Sequence, residues 1–295
     1  MLYESDKNKG MNMFNEEEFK RRLEEWIQSR PKISVEQIRN FRGTLSSDDY
    51  RRYKALVDEI LDYYAIMYLE KVVEKQWYHT IDLGNGEITD GIYDHRPLLK
   101  YYGFPESLTG KRVLDVGCAD GFFSFEFERR GAEEVVALDA YRNDCFIYAK
   151  KKLNSKVKFL KLNVYDLSPS KVGTFDFVFC GTLLLHLSDP IRALRAIRSV
   201  INKWEFICAT PILGKLRSFP LRFLGMKSSA FMSAKRPKVG VSTYWIPTAK
   251  CAVEMVRRAG FDKVEKQGTF TLKGYTKAAQ GKERWLHVVV KAIVE

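Results

Sequence analysis

Asp115, Gly117, Gly121 and Asp139 are the residues whose types and spacing could do chemistry. They stand in RVLDVGCADG (Arg112 to Gly121) and EVVALDA (Glu134 to Ala140). Two glycines four apart let backbone approach a ligand without a side-chain clash. A carboxylate 22 residues after the first glycine is the usual acceptor for both hydroxyls of a ribose. Cys118, Ala119 and Asp120 complete the loop, and Ala140 follows the second acid. The spacing Gly117-x-Ala119-x-Gly121 departs from the G-x-G-x-x-G of dinucleotide enzymes, so a pyrophosphate is less expected.

These residues need a strand, a turn and a helix to hold them. Val113, Leu114 and Val116 predict a buried strand, and FFSFEFERRG predicts a helix stopped by Gly131. The helix start offers unpaired N–H donors. The βαβ order then continues. Asp144 to Leu153 predicts a helix, and Val157 to Asn163 a third strand with Asn163 and Val164 at its end. Phe175 to Thr182 predicts a fourth strand, which carries Cys180 and Gly181 and is followed by His186 in LLLHLSDP. Asp189 caps the next helix and Pro190 takes its first position. WEFICATP predicts a fifth strand, and FDKVEKQG with ERWLHVVVKAIVE a final antiparallel pair. The sum is an α/β chain with a seven-stranded Rossmann-like sheet. Gly117, Asp139, Asn163, Cys180 and His186 should converge at the carboxyl ends of its strands. His287 alternates within the last strand and reads as structural.

The acid followed by a glycine turn, DVGCADG, resembles the first motif of the class I S-adenosylmethionine-dependent methyltransferases, with Ala119 in place of the middle glycine. That resemblance implies S-adenosyl-L-methionine as cofactor. Asp115 and the loop Gly117–Gly121 would make room for its methionine part. Asp139 and Ala140 would hold the ribose, Asn163 and Val164 would read adenine, and Cys180 and Gly181 would close the site. QWYHTIDL, FPESLTGKRVLDVGCADGF, FCGTLLLHLSDP and YWIPT together are similar to the tRNA wobble-uridine (5-hydroxyuridine) methyltransferase and carboxymethyltransferase family, over roughly 76–260 without the basic insert. Trp77 and Tyr78 would then border the sulfonium, which aromatic faces hold well. Carboxymethyl members hold an extra carboxylate with a lysine, a tyrosine and an arginine. The matching positions here are His79, Leu185 and the neighbourhood of Val241. An unpaired buried charge costs several kcal/mol, so plain methyl transfer is expected. His186 and His79 are the candidate bases for a hydroxyl acceptor. Arg96 reads either as a partner for a ligand carboxylate or as a surface salt bridge.

Composition bounds the rest. The 295 residues suit one large domain or a domain with an appendage. Residues 1–13 read as disordered, and helical spacing from Asn15 to Val73 predicts a helical appendage over 1–75, ahead of a methyltransferase domain over 76–295. The appendage reads as a packing element or as a lid. Asn85-Gly86 predicts a small hairpin. The five cysteines are scattered and form no CxxC pair, which reads as reduced thiols of a cytoplasmic protein without structural metal. No apolar run approaches the roughly 18 residues of a membrane span.

The formal charge of +12 lies in the last third: residues 211–295 carry 17 Lys+Arg against 5 Asp+Glu. Lys215, Arg217, Arg222, Lys235 and Arg236 stand in an insert at about 211–246 that holds no acid. Three readings stand side by side for it. It is a phosphate-tracking tRNA surface, a membrane-surface segment drawn to anionic lipid, or a lid over a small metabolite, quinone or lipid acceptor. A protein that holds cofactor or RNA without catalysis is the alternative from a different class.

Overall fold

The computed structural model describes residues 14–30, 33–43, 45–72, 77–214, 226, 228–232, 243–274 and 283–295. The disorder expected of residues 1–13 lies outside them. The chain divides into two units, Met1–Lys75 and Gln76–Glu295.

The first unit holds α1 (Glu16–Gln28), α2 (Val35–Asn40) and α3 (Ser47–Val72). Each start has a local cause. The Asn15 side chain accepts the Glu18 N–H at 3.0 Å. Ser34 and Gln37 exchange both bonds of a capping box, at 2.7 and 3.1 Å. The helices bury Phe19, Leu23, Ile38, Val57, Ile60 and Leu61 in a core of their own.

The second unit is one large sheet with helices. In chain order it contains β1 (Trp77–His79), β2 (Gly91–Tyr93), β3 (Arg112–Val116), α4 (Phe122–Arg129), β4 (Glu134–Asp139), α5 (Asp144–Lys152), β5 (Lys158–Lys161), α6 (Pro169–Val172), β6 (Phe175–Gly181), α7 (Pro190–Ser199) and β7 (Ile201–Pro211). Then come β8 (Ala230–Met232), β9 (Trp245–Pro247), α8 (Ala249–Arg258), β10 (Lys263–Gly274) and β11 (Glu283–Ile293). The main sheet has nine strands in the order β1-β2-β10-β11-β7-β6-β3-β4-β5.

Seven of these strands, from β10 to β5, are those read from the sequence. The departure is at one edge, where β1 and β2 pair in parallel and join β10 through Tyr93 opposite Gly274. Three-residue strands carry too little periodicity to be seen in a sequence. The Asn85-Gly86 turn lies between them, with both residues at positive φ (52° and 81°) as a type I′ turn demands. Its ladder is a single bridge, Asp82 opposite Ile88.

The central strands β3 and β6 are buried on both faces, which is why they read as continuous apolar runs. β10 and β11 run antiparallel over almost their whole length. Among the described residues no helix is long and apolar enough to cross a membrane.

Candidate active site

The carboxyl ends of β3, β4, β5 and β6 open into a cleft of about 680 Å³. Its floor is the glycine turn after β3. Gly117 and Cys118 both donate to the Leu138 carbonyl, at 2.8 and 3.1 Å, and Gly121 donates to Cys118 at 2.9 Å. Gly117 has φ 79°, and a Cβ there would stand 3.3 Å from the Leu183 side chain. Ala119 takes φ 49°. An L-residue pays about 1–2 kcal/mol for that conformation, and Asp139 secures it by accepting the Ala119 N–H at 3.1 Å.

Asp139 therefore ties β4 to the turn. Its other oxygen accepts the Tyr141 N–H at 3.1 Å. Burial pushes its carboxyl above the usual range, against the lowering effect of the Tyr141, Ala119 and Ala140 N–H groups. Asn163 stands at the end of β5 with its side-chain oxygen on the Tyr165 N–H at 3.1 Å. The amide nitrogen of Asn163 is its remaining polar group, and Val164 lies beside it on the cleft wall. Gly181 and Thr182 form the wall after β6. Thr182 holds φ 53°, a left-handed conformation that a β-branched residue rarely adopts and that collects at functional sites. His186, in the turn Leu184–His186, faces the same space. Tyr78, His79 and His95 line it from the segment ahead of β3.

Residues 114–204 match the family model described as a methyltransferase domain. A tRNA U34 carboxymethyltransferase of Campylobacter hominis is 35% identical over 97 residues, which is 32% of this chain and 34% of that protein. A ubiquinone biosynthesis O-methyltransferase of Neisseria meningitidis serogroup C is 27% identical over 183 residues, 60% of this chain and 75% of that protein. The chain spans a third to a half of the first two curated relatives it matches (34% and 50%). The N-terminal domain of EvdMO1, solved in the presence of SAH and D-fucose, superposes with a TM-score of 0.53 at 19% identity, covering 86% of this chain and all of that one.

Within the sheet unit, residues 114–204 carry the methyltransferase-domain match, which implies S-adenosylmethionine as cofactor. The turn and cleft suit that cofactor, because Gly117 has its backbone open to the cleft and Asp139 ends β4 at the cleft wall.

Several residues named from the sequence lie outside this cleft. Asp115 is buried, accepts the Ser124 hydroxyl at 2.6 Å, and is pushed up to about 7 chiefly by burial. Cys118 is buried in the loop, and burial pushes its thiol up. Cys180 points into the core beside Cys208, opposite it in the strand register, and that contact and burial raise its thiol. Gly121 sits at the start of α4 against Phe125 and Phe146. Trp77 is buried with its ring 6.0 Å from Tyr148. Asp120 is fully buried and turned toward β1, where it accepts the Tyr78 and His79 N–H groups at 2.8 and 2.9 Å. Arg96 forms a two-point ion pair with Asp94 at 2.9 and 2.8 Å, which is the salt-bridge reading. Leu185 is buried, and its carbonyl accepts the Tyr244 N–H at 2.7 Å. Lys215, Arg217, Arg222, Lys235, Arg236 and Val241 lie outside the described residues, as does most of the basic insert.

The cleft also contains residues that the sequence did not single out. His95 is buried, bonds the Tyr102 hydroxyl at 2.8 Å, and is held well below the usual imidazole range by burial. Tyr141 and Arg142 follow Asp139, and Tyr244 precedes the WIP strand. Their signal in the sequence was adjacency to a motif. For His95 there was none, since it is 16 residues from His79 in a stretch without periodicity.

Proposed function

We propose that the protein transfers a methyl group from S-adenosylmethionine to an oxygen or nitrogen acceptor brought to this cleft, with a modified uridine of tRNA as the acceptor class. The observation that carries the reading is Asp139, aligned by the Ala119 and Tyr141 N–H groups at the cleft wall. Asp139 would hold the ribose hydroxyls, Asn163 and Val164 the adenine, and Gly117 with Ala119 would line the methionine part. The cofactor supplies an activated methyl on a sulfonium. The chain supplies alignment and exclusion of water, which suffice for displacement at an activated carbon. Tyr78 presents an aromatic face suited to a cation.

Similarity to a tRNA-modifying relative and the basic excess of residues 211–295 support the RNA acceptor. A second reading, a small phenolic or quinone-like acceptor, is favoured by the longer stretch shared with a ubiquinone O-methyltransferase. Protein incubated with methyl-labelled cofactor and two extracts, small RNA and RNA-free metabolites plus lipids, separates the two. The expected result is label in RNA that falls as salt rises and vanishes with Asp139→Ala. Label confined to the second extract refutes the RNA acceptor. Tight cofactor binding with no label in either extract refutes transfer and leaves a binding protein.

A further inference from the structure

His79 stands on the three-residue strand β1, yet its ring is fixed from several sides. Its Nδ1 meets Asp120 Oδ1 in a direct hydrogen bond. Asp120 Oδ2 meanwhile takes the Tyr78 and His79 N–H groups at 2.8 and 2.9 Å. Asp120 has 0% of its surface exposed and His79 only 4%, so neither trades these bonds for water. The rings of Phe122 and Phe123 lie 5.8 and 5.7 Å away.

This arrangement sets a tautomer. Both Asp120 oxygens accept, so the hydrogen between Oδ1 and Nδ1 belongs to the imidazole. In the neutral form of the ring Nε2 then carries a lone pair, and among the described residues it has no hydrogen-bond partner. His79 is also a cleft-lining residue. A neutral imidazole, oriented by a buried carboxylate and facing a ligand cleft, can accept a proton. The groups facing it are Asp120 from the glycine turn, Tyr78 at 4.8 Å on its own strand and His95 at 5.3 Å. Asp115 acts on it electrostatically from β3. Burial keeps His95 neutral, so it adds no standing positive charge against protonation of His79.

We propose that His79 and Asp120 form a proton-accepting couple, in which His79 Nε2 takes the hydrogen of a hydroxyl acceptor and Asp120 positions the ring. This rests on the methyl-transfer reading and deepens it, because it names the acceptor as an oxygen that still bears its proton at neutral pH. The step balances. The acceptor oxygen bonds to the methyl carbon, and the carbon–sulfur electron pair returns to sulfur. The hydroxyl proton passes to Nε2, and the imidazolium later releases it to solvent. His79 is thus a catalytic residue and Asp120 a positioning residue.

The first test reads the ring itself, by long-range proton–nitrogen NMR of ¹⁵N-histidine-labelled full-length protein at pH 8 with S-adenosylhomocysteine. The expected state of His79 is Nδ1–H with Nε2 bare. Asp120→Asn should reverse it, because the amide donates to Nδ1 while its oxygen still accepts the two backbone N–H groups. An Nε2–H tautomer in the unaltered protein, or no change in Asp120→Asn, overturns the couple whether or not methyl transfer occurs. The second test uses the labelled cofactor and the same two extracts. His79→Gln should lower the initial rate at pH 7 by about 10²–10⁴-fold, with a loss that shrinks toward pH 9.5 as the acceptor ionises unaided. Asp120→Asn should lower it at least tenfold. S-adenosylhomocysteine affinity should stay within threefold in both variants, which shows that they are folded. A rate and pH profile unchanged by His79→Gln overturn the proposal. No label with the unaltered protein overturns the methyl-transfer reading, and with it this use of the couple.

Discussion

Gly121→Ala should be among the most damaging single-methyl additions in the sheet unit. A Cβ at Gly121 would lie 2.6 Å from Phe146 Cδ2 and 2.7 Å from Phe125 Cε2. Neither ring has room to give. Phe146 is wholly buried, stacks on Phe125 at 5.4 Å, and also meets Phe159 at 5.1 Å. Overpacking of this kind costs about 1–3 kcal/mol. The backbone adds a second cost, since Gly121 holds φ 94° and strain there is worth about 1–3 kcal/mol. Together they come to about 2–6 kcal/mol, a large share of a typical stability of about 5–15 kcal/mol. Gly117→Ala is the control. It has a similar φ of 79°, but the nearest atoms its Cβ would meet belong to the Leu183 side chain, at 3.3 Å. Urea unfolding followed by tryptophan fluorescence should therefore rank the variants, with Gly121→Ala about 1–3 kcal/mol worse than Gly117→Ala. Equal losses would refute the packing argument. A loss below about 0.5 kcal/mol at Gly121, the size of an ordinary surface change, would refute the strain argument as well.

Asp115 is raised to about 7 by burial, so the unfolded chain ionises it first as pH rises. Stability from this residue is present below about pH 4 and lost by about pH 7, by up to about 4 kcal/mol; in Asp115→Asn, urea midpoints at pH 5 and pH 8 should lie closer together than in the natural protein. His287 has the opposite sign. Burial lowers it to about 4, so its contribution is present above about pH 6.5 and lost as pH falls toward 4; His287→Gln should flatten that part of the acid limb of the stability curve. Among the thiols, Cys145 and Cys251 are half-buried while Cys118, Cys180 and Cys208 are buried. Iodoacetamide mapped by mass spectrometry on the native protein should label the first pair well ahead of the other three.

The central βαβ units were legible because each carries a strong local signature. The apolar runs of β3 and β6, the Asp189–Pro190 helix start and the Gly131 stop are properties of a few adjacent residues. The glycine turn and Asp139 were legible for the same reason. Asp120, Trp77 and Cys180 were not placed correctly by adjacency. Side chains on neighbouring positions of a turn or strand point in different directions, and only packing decides which face a ligand. The sequence put Asp120 beside Gly121 in the loop, whereas the fold turns it away to bind residues 78 and 79.

By itself, the order of apolar runs, glycines and acids determined a core of parallel strands with a carboxylate, Asp139, at the end of the second of them. Those features arise within about thirty residues, where spacing along the chain nearly equals spacing in space. The tertiary structure decided what depends on distant segments meeting. It added the two edge strands, buried Asp115 against Ser124 outside the cleft lining, and brought His95 to the cleft. It also joined His79 to Asp120 across 41 positions of chain. That pairing has no local signal, because it exists only once β1 has joined the sheet edge and the turn after β3 has closed against it.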